Sequence, residues 1–494
     1  MNYSILLLLL SFLWSCINAP ISALGSSKRK FGMARLPPGP RPFPIIGNLL
    51  ELGDKPHQSL TTLSKTYGPL MSLKLGSTTT IVISSSKTAQ EVLNKNDQAF
   101  SSRAVLNAVQ AVNHHKFSVV FLPASAHWRN LRKICSTQML SLPRIDACRA
   151  LRRRIVQQLL DHAHESCTSS RAVDIGRAAS TTALNLLSNT IFSVDLAHYD
   201  SNFSQEFKDL VWSIMEEAGK PNLADFFPGL SFIDPQGIQK KMTANFYKLL
   251  KVLMASSINA SSAASNDVLD ALLNLTKEDN HEWCFSDTIH LLLVRPIFCG
   301  TDTTSSTVEW AMAELLNNPK AMAKARSELD EVIGKDMIVE ESDISKLPYL
   351  QAVVKETFRL HPPVPFLVPR KTEMESEILG YAVPKNAQVL VNVWAIGRDP
   401  MWTNPNSFVP ERFLECEIDV KGRDFQLIPF GAGRRICPGL LLGHRMVHLM
   451  LASLLHSFDW KLEDGMKPED MDMTEKFGFT LRKAQPLQAV PIKP

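Results

Sequence analysis

One cysteine in this sequence occupies a position that suits a metal ligand. Cys437 lies in a glycine-rich segment, Phe430 to Gly439, which runs directly into an apolar stretch typical of a helix, Leu440 to Phe458. A sulfur at the N-terminus of a helix faces unpaired N–H groups and the positive end of the helix dipole. We therefore expect a lowered thiol pKa and a thiolate that can bind a metal.

The residues around Cys437 fit a large, flat ligand that carries negative charge. Gly433 and Gly439 allow the backbone to approach such a ligand closely, and Arg435 is placed to pair with a carboxylate. Pro438 suits the first helical turn, where its missing N–H costs nothing. A lone cysteine is more often a small buried apolar side chain, so the prediction depends on this surrounding pattern.

Two pairs of side chains are predicted to share a helix face. Glu356 and Arg359 are three residues apart in a helical pattern that Pro362 ends. Alone, such a pair is a weak signal, because surface ion pairs are common and add little stability. Trp128 and Arg132 are four residues apart and, alone, fit a core tryptophan beside a solvated arginine.

A carboxylate and hydroxyl groups interrupt a long apolar helical pattern. Gly300 is followed by Asp302 and Thr303 within the pattern from Ser286 to Leu316. Polar residues in the middle of a helix usually face solvent. The glycine favours a local opening instead, in which a threonine hydroxyl bonds a backbone carbonyl and holds water.

Composition narrows the class of protein. The chain has 494 residues, of which 45% are hydrophobic and 21% charged, as is ordinary for a globular protein. A net charge of +4 without a long run of like charge argues against nucleic-acid binding. Eight cysteines that form no Cys-x-x-Cys pair argue against a disulfide-rich secreted domain and a zinc finger. A metal must then be held by one isolated ligand or by a cofactor.

Periodicity predicts a mainly α protein with a small β portion and no internal repeat. Helical patterns cover Lys87 to Asn94, Ala126 to Ser136, Arg149 to His164, Ala178 to Ser193, Ser204 to Ala218, Asp267 to Thr276, Ser286 to Leu316 and Pro319 to Gly334. Strand-like runs cover Leu70 to Leu75, Thr80 to Ser84 and Gln388 to Val393. The Ser/Ala/Asn-rich segment Ala255 to Asn266 is predicted to be an exposed connection between helices.

The N-terminus predicts a membrane anchor. Residues 1–24 are largely apolar and precede the basic run Lys28 to Lys30, and a span needs roughly 20 apolar residues. The positive-inside rule then places the rest of the chain in the cytosol. A cleaved signal peptide is the alternative, although residues 1–4 lack its usual basic side chain. Residues 25–48, basic and then proline-rich, are predicted to form a stiff hinge before one domain of residues 49–494.

The segment Phe430 to Gly439 fits the pattern Phe-x-x-Gly-x-Arg-x-Cys-x-Gly, and the chain from about Leu36 onward resembles the cytochrome P450 family. The resemblance implies a fold that is mainly α with small β-sheets, in a single large domain with haem b as cofactor. It makes Cys437 the axial thiolate ligand of the haem iron, a ligand that favours O–O cleavage. It also assigns contacts with haem or its propionates to Phe430, Gly433, Gly439, Arg435, Trp128, Arg132, Arg103 and Arg370.

The remaining motifs acquire roles from the same resemblance. Glu356, Arg359 and Arg412 resemble a buried ion network that locks the segment before the haem loop. Asp302 and Thr303 resemble the acid–alcohol pair that delivers protons to the oxygen site. No Gly-x-Gly-x-x-Gly follows a strand. Electrons are therefore expected from a partner, by resemblance the NADPH–cytochrome P450 reductase of the endoplasmic reticulum membrane.

The substrate is predicted to be small and apolar. Four segments are candidates for lining its site, with aromatic side chains that fit plain core equally well: Leu106 to Phe121, Ile297 to Thr301, Val364 to Val368 and Phe477 to Thr480. Three further segments resemble the plant geraniol 8-hydroxylase group: Gln351 to Arg370, Leu390 to Asp399 and Gly422 to Leu440. That group oxidises the allylic methyl of acyclic monoterpene alcohols, and its branches also accept diterpenes and phenolic compounds. The resemblance implies a monoterpenoid such as geraniol.

One stretch departs from the family. Leu291 to Gly300 looks one residue longer than in relatives and carries Arg295, Pro296 and Cys299 where an apolar run with an acidic residue is usual. A proline inside a helix costs ~3 kcal/mol or more. Either a bulge absorbs the insertion, or the chain is a haem-binding but catalytically impaired paralogue. A haem-thiolate isomerase or dehydratase is a third alternative, against which the intact acid–alcohol pair argues.

Overall fold

Helices predominate in this chain, as the periodicity predicts. The structure, a computed structural model, describes residues 35–116, 118–260, 285–335 and 337–493, and of residues 192, 252–260, 285–296 and 298 it describes the backbone only. In chain order the helices are α1 (Pro56–Tyr67), α2 (Ser86–Gln90), α3 (Ala126–Ile134), α4 (Leu142–Ala147), α5 (Arg149–Thr168), α6 (Ile175–Phe192), α7 (Asn202–Gly219), α8 (Leu223–Phe226), α9 (Ile238–Ala260), α10 (Phe285–Asn317), α11 (Pro319–Ile333), α12 (Pro348–Leu360), α13 (Val393–Ile396) and α14 (Leu440–Ser457).

Short strands form small sheets, which agrees with a mainly α protein with a small β portion. They are β1 (Leu70–Leu75), β2 (Thr78–Ile83), β3 (Ser102–Arg103), β4 (Val173–Asp174), β5 (Arg370–Lys371), β6 (Ser376–Ile378), β7 (Tyr381–Val383), β8 (Gln388–Val391), β9 (Asp459–Leu462), β10 (Glu475–Phe477), β11 (Leu481–Lys483) and β12 (Gln488–Ile492). The largest sheet has the order β1-β2-β8-β5-β3, in which only the β2–β8 pair is parallel. Strands β4, β12 and β9 form a second sheet, and β6–β7 and β10–β11 are hairpins.

Some predicted elements differ from the structure, and others fall on residues that the structure does not describe. The segment that begins at Ala255 is helical as far as Ala260, because α9 continues to that residue, so the predicted connection is wrong there. The rest of that segment and the predicted helix Asp267 to Thr276 lie outside the described residues. Strands β3 to β7 and β9 to β12 were not predicted, since runs of two to five residues are too short for alternation to be read.

The predicted membrane anchor, residues 1–24, also lies outside the described residues. In the part of the chain that the structure describes, no helix combines the length and the apolar character needed to cross a membrane. Contacts group Leu36–Pro494 into one compact unit. The finer division into anchor, hinge and domain stays a prediction.

Helix α10 is buried at every residue from Thr304 to Leu316 and packs against α6 and α14. Two glycines allow the close contact with α6: a Cβ on Gly300 would lie 2.9 Å from Leu187, and one on Gly176 would lie 2.7 Å from Glu309. The helix is continuous through Pro296, so no bulge interrupts the backbone from residue 285 to residue 317. The predicted opening at Gly300 is therefore absent from this stretch of backbone.

A buried ion network ties α12 to the segment that precedes the cysteine loop. Arg359 donates to both carboxylate oxygens of Glu356 at 2.7 Å, and neither side chain is exposed. Arg412 donates to the same carboxylate at 3.1 Å. Arg359 also donates to the carbonyl groups of Gly397, Pro405 and Ser407. The three charged residues that the sequence singles out thus lie together.

Glu475, at the start of β10, is the centre of a second buried network. The Nε2 atom of His57 lies 3.0 Å from this carboxylate, and Trp394 donates to it at 3.1 Å. His361 lies between two carboxylates, with Nε2 2.7 Å from Glu314 and Nδ1 3.6 Å from Glu475. The network therefore joins α1, α10, the end of α12 and α13 to the C-terminal hairpin.

Truncation of Arg359 tests the first network. We expect Arg359→Ala to lower the free energy of unfolding by ~3–5 kcal/mol, because Glu356 stays buried while it loses its bidentate partner. Lys324→Ala is the control: Lys324 pairs with Glu411 but its side chain is 59% exposed, and loss of a surface pair costs at most about 1 kcal/mol. Urea and thermal unfolding followed by circular dichroism measure both variants. Equal losses would contradict a structural role for the network.

His361 makes stability depend on pH. Burial lowers the pKa of His361, but the hydrogen bonds and charges of Glu314 and Glu475 outweigh burial, so the pKa lies above its ordinary value of 6.5. The protonated imidazole therefore stabilises the fold fully below the unfolded-state pKa, and this contribution is lost as pH rises through the folded-state pKa. We expect the melting temperature to fall over that range, and His361→Gln to flatten the fall. Because His57 and Arg398, which also face Glu475, are unchanged in the variant, equal slopes would exclude His361 as the source.

Candidate functional site

The loop that ends at Cys437 is held by its own backbone. The Cys437 N–H donates to the Phe430 carbonyl at 2.9 Å. Gly433 has a φ of +67°, and a Cβ on this residue would lie 2.2 Å from the carbonyl oxygen of Leu93. Only glycine therefore allows the loop to approach the turn that follows α2.

The sulfur of Cys437 lies just ahead of α14. This helix begins at Leu440 with Gly439 as its N-cap, so Pro438 precedes the first turn, and the prediction that places it within that turn is wrong. The Cys437 side chain has accessible surface, although the surrounding protein desolvates its thiol. A group at the floor of a cleft has both properties.

Burial raises the pKa of the Cys437 thiol and outweighs the opposing effects of the Gly439 N–H, of Arg132 and of the Leu440 N–H. The predicted lowering of this pKa is therefore wrong for the protein chain itself. The physical reason is that desolvation of an anion exceeds the attraction of one helix N-terminus and one neighbouring cation. A thiolate here needs a further positive partner.

Four arginines converge beside the cysteine loop. Arg103, Arg370 and Arg435 are each at most 9% exposed. Burial lowers the pKa of Arg103 well below its ordinary value, and Arg370, Arg435 and Arg132 lower it further. Burial also lowers the pKa of Arg370 and of Arg435 to about 10. Asp97, 3.5 Å from Arg370, offsets only part of this concentrated positive charge.

Arg435 is fixed by backbone carbonyls and by an aromatic ring. It donates to the carbonyl groups of Ser101, Val119 and Leu122. Its guanidinium lies 4.1 Å from the ring centroid of Trp128. The indole N–H of Trp128 itself donates to the Val119 carbonyl at 3.0 Å. Trp128 therefore orients Arg435 while its own donor is engaged within the protein.

Arg103 and Arg370 differ in how well the protein satisfies them. Arg370 donates to the carbonyl groups of Phe100 and Ala432 at 3.1 and 3.3 Å. Arg103 donates to the Val368 carbonyl, but its Nε atom is buried without a hydrogen-bond partner. A buried cationic nitrogen that lacks an acceptor requires an explanation, and a bound anion supplies one.

Asp302 and Thr303 have different partners. The Thr303 hydroxyl donates to the Cys299 carbonyl at 2.9 Å, one helical turn earlier, as predicted for a hydroxyl in this helix. The Asp302 carboxylate accepts a hydrogen bond from the Thr480 hydroxyl at 2.6 Å. Burial raises the pKa of Asp302, and Thr480 and the nearby Arg482 oppose that rise. The two side chains leave α10 in different directions and their hydrogen bonds lead to different neighbours.

Aromatic contacts join three of the four predicted lining segments. The rings of Phe121 and Phe479 lie 6.3 Å apart and are tilted by 57°. Phe366 packs edge-on against Phe477, in the same segment as Phe479, at 6.1 Å, and it also packs against a separate hydrophobic cluster near the large sheet. Phe117 lies outside the described residues. The segment Phe477 to Thr480 therefore contacts two other predicted lining segments, through Phe121 and through Phe366.

The sequence analysis missed Asp97, and it named Thr480 only as part of a lining segment and not as the partner of Asp302. Asp97 accepts a hydrogen bond from the Arg434 N–H at 3.1 Å and lies beside Arg370. Thr480 bonds Asp302 across a separation of 178 residues. Neither belongs to a local motif, so spacing carries no signal for them. A buried arginine such as Arg370 is expected to have a carboxylate nearby, but this expectation does not say which residue of the chain supplies it.

Comparison with known proteins gives a consistent result. The family model described as Cytochrome P450 matches residues 37–488. A geraniol 8-hydroxylase of Catharanthus roseus is 57% identical, with 92% of this chain and 94% of that protein covered. A geraniol 8-hydroxylase of Swertia mussotii is 53% identical with 99% of each covered, and Cytochrome P450 76T24 of Catharanthus roseus is 54% identical with 99% and 98% covered. Since these similarities extend over nearly the whole sequence, the chain belongs to the cytochrome P450 family of haem-dependent monooxygenases, which take their electrons from a reductase.

Proposed function

We propose that this enzyme hydroxylates a monoterpenoid alcohol such as geraniol at C8. Substrate, O2, NADPH and a proton give the hydroxylated product, water and NADP+, with the electrons passing through NADPH–cytochrome P450 reductase. Relatives named geraniol 8-hydroxylase at 53 and 57% identity support the substrate class. The observation that carries the reaction type is the convergence of one cysteine thiol with an unbalanced group of four arginines.

The residues of this site fit haem b. Cys437 offers the axial ligand, and Arg103, Arg132, Arg370 and Arg435 offer positive charge that two propionates would balance through charge-assisted hydrogen bonds. The unpartnered Nε atom of Arg103, beside three other arginines, supports an anion at this position. When bound, haem supplies the activation of O2 and the insertion of one oxygen atom into a C–H bond.

Other residues of the loop act by shape. Gly433 allows the loop to pack against the Leu93 carbonyl, and Gly439 keeps a side chain away from the Cys437 sulfur, from which a Cβ would lie 3.8 Å. Phe430 packs edge-on against Phe358 of α12 at 5.3 Å and holds the start of the loop against the core. Trp128 acts on a propionate through Arg435, whose guanidinium it stacks on.

In this proposal Asp302 and Thr303 move protons to the oxygen site. The Thr303 hydroxyl, held by the Cys299 carbonyl, presents its oxygen as an acceptor and can pass a proton on. The raised pKa of Asp302, caused first by burial, brings this carboxyl closer to the pH at which it both takes up and releases protons. Asp302 is therefore the proton carrier and Thr303 the relay.

An apolar wall favours an apolar substrate. Phe121 and Phe479 form its aromatic part. Ile297 is fully buried in the turn of α10 before Thr301. A small hydrocarbon chain would bury its surface against these groups, at a gain of about 0.8 kcal/mol for each CH2 group.

The apolar and basic residues near the N-terminus support a membrane location for the enzyme. We propose that residues 1–24 anchor the chain in the endoplasmic reticulum membrane and that residues 25–48 form the hinge to a cytosolic catalytic domain. The basic run Lys28 to Lys30 supports this orientation. The same membrane then holds the reductase.

The departure around Pro296 does not favour a different function. Helix α10 is continuous through this residue, and Asp302 and Thr303 keep defined hydrogen-bond partners two turns later. The helix thus accommodates this sequence without the bulge that the first alternative required, and the retained partners of Asp302 and Thr303 favour an active oxygenase over an impaired paralogue.

Replacement of the ligand tests the reaction type. We expect the wild-type protein to give a thiolate-type carbon monoxide difference spectrum and to convert geraniol with NADPH and added reductase. Cys437→Ser should lose both, because the hydroxyl is a far weaker donor to iron than a thiolate. Cys167→Ser, on the partly buried end of α5, should keep both.

The same assay separates the alternatives. A thiolate spectrum without turnover of geraniol or any other monoterpenoid would favour the impaired paralogue. Turnover of a hydroperoxide without NADPH would favour an isomerase. Retention of haem and full oxidising activity in Cys437→Ser would overturn the proposal as a whole.

Replacement of Arg103 tests the proposed propionate site in the protein with haem and in the protein without haem. Arg103→Met should reduce haem retention, because a partner of a propionate is lost. It should not lower the melting temperature of haem-depleted protein, because the mutual repulsion with Arg370, Arg435 and Arg132 is relieved. Haem content after gel filtration and differential scanning calorimetry measure the two effects. Arg129→Gln, an exposed position on α3, should change neither, and a destabilised haem-free Arg103→Met would contradict the assignment.

A further inference from the structure

The C-terminal hairpin is bonded to one face of α10 through hydroxyl groups. The Thr480 hydroxyl donates to the Asp302 carboxylate at 2.6 Å. One turn later, the Ser306 hydroxyl donates to the Leu481 carbonyl at 2.8 Å. Residues 302 and 306 are four apart and share a helix face. Consecutive residues of the hairpin therefore bond consecutive turns of α10, and only the first bond involves the carboxylate.

Asp302 lies at a polar cleft between α6, α7, α10 and β11. It keeps accessible surface there, and its polar neighbours in the lining are Ser180, Lys208, Ser305, Ser306, Glu309 and Arg482. Both cations are engaged elsewhere: Lys208 lies 3.2 Å from Asp174, and Arg482 stacks on Trp212 at 3.8 Å. Among the described residues, Thr480 is the one side chain recorded as a hydrogen-bond donor to the Asp302 carboxylate.

We propose that Thr480 is a positioning residue for proton delivery, whose hydroxyl holds the Asp302 carboxylate toward the polar cleft, where it takes up protons from water. This inference rests on the proposed function, in which Asp302 then passes the proton toward Thr303. Without the hydroxyl the carboxylate keeps no fixed orientation, and its reloading between turnovers slows.

Phe479, the residue before Thr480, links the Thr480–Asp302 bond to the apolar wall. Phe479 packs against Phe121 in the apolar wall, and its N–H donates to the Met215 carbonyl at 2.7 Å. The hairpin turn thus presents one residue to the substrate and the next to the proton carrier. A change in the way substrate packs on Phe479 is transmitted directly to the Asp302 contact.

Electrostatics agree with this geometry. Burial raises the pKa of Asp302, while the Thr480 hydrogen bond, Arg482 from β11 and Lys208 from α7 lower it. Glu309, two turns further along α10, faces the same cleft, and its pKa is also raised, first by burial. Loss of the Thr480 hydroxyl therefore shifts the titration of Asp302 to higher pH.

The test compares Thr480→Val, which keeps the shape and removes the hydroxyl, with wild-type holoenzyme. We expect product formed per NADPH consumed to fall about tenfold, the size expected for loss of one hydrogen bond to a charged group, with the missing electrons found in hydrogen peroxide. The pH midpoint of the Asp302 carboxyl band, measured by infrared titration and assigned with Asp302→Asn, should rise. Thr480→Ser, which keeps a hydroxyl, should keep the coupling ratio and the midpoint close to those of the wild type.

Ser306→Ala is the matched control. Ser306 also lines the cleft, but its hydroxyl donates to the Leu481 carbonyl and not to Asp302, so the variant removes a bond between the same helix and the same hairpin while the Thr480–Asp302 bond stays. It should leave the coupling ratio and the titration as in the wild type. Unchanged or improved coupling in Thr480→Val, or the same loss in Ser306→Ala, would overturn the inference. The infrared titration needs no substrate, so it decides this point even if no monoterpenoid is turned over and the proposed function fails.

Discussion

A charge that folding removes from water needs an opposite charge or several hydrogen bonds, and the region around Cys437 depends on how each buried charge meets this need. Glu356 meets it with Arg359 and Arg412. The arginines beside the cysteine loop meet it unevenly: Arg435 and Arg370 bond several backbone carbonyls, whereas the Nε atom of Arg103 has no acceptor. The neighbouring arginines therefore leave excess positive charge around Arg103. On the proposed function two haem propionates would balance this charge, and the same charge that destabilises the chain alone would stabilise its complex with haem.

The parts of this site that sequence analysis reached are those with local causes. Glu356 and Arg359 meet because three residues of helix separate them, and the Thr303 hydroxyl finds the Cys299 carbonyl because four residues separate them. The sign of the Cys437 pKa shift was predicted wrongly because a helix N-terminus is a local property, whereas desolvation depends on everything that packs around the sulfur. The carboxylate partner Thr480 was missed for the same reason, since it comes from a strand turn at the far end of the chain.

The fold shows the same division. Long helices such as α5 and α10 were predicted to within a few residues, because their apolar residues repeat over many turns. Strands β10 and β11 have three residues each and carry no readable alternation, yet the turn between them supplies both Phe479 and Thr480. Their place is determined by tertiary bonds, such as those of Glu475 to His57 and Trp394, rather than by local preference.

This anchoring bears on how substrate specificity can change within the fold. The hairpin is fixed at its base by the Glu475 network and bonded at its tip to α10, so the turn has little freedom to move without its partners. A substitution at Phe479 that reshapes the apolar wall also shifts the adjacent Thr480. On the proposed roles of Phe479 and Asp302, acceptance of a new substrate through this turn would be coupled to the supply of protons, because one short segment contacts both the apolar wall and the carboxylate. On the same proposal Phe121, which contributes to the wall from a different segment of the chain, would vary with less effect on the reaction itself.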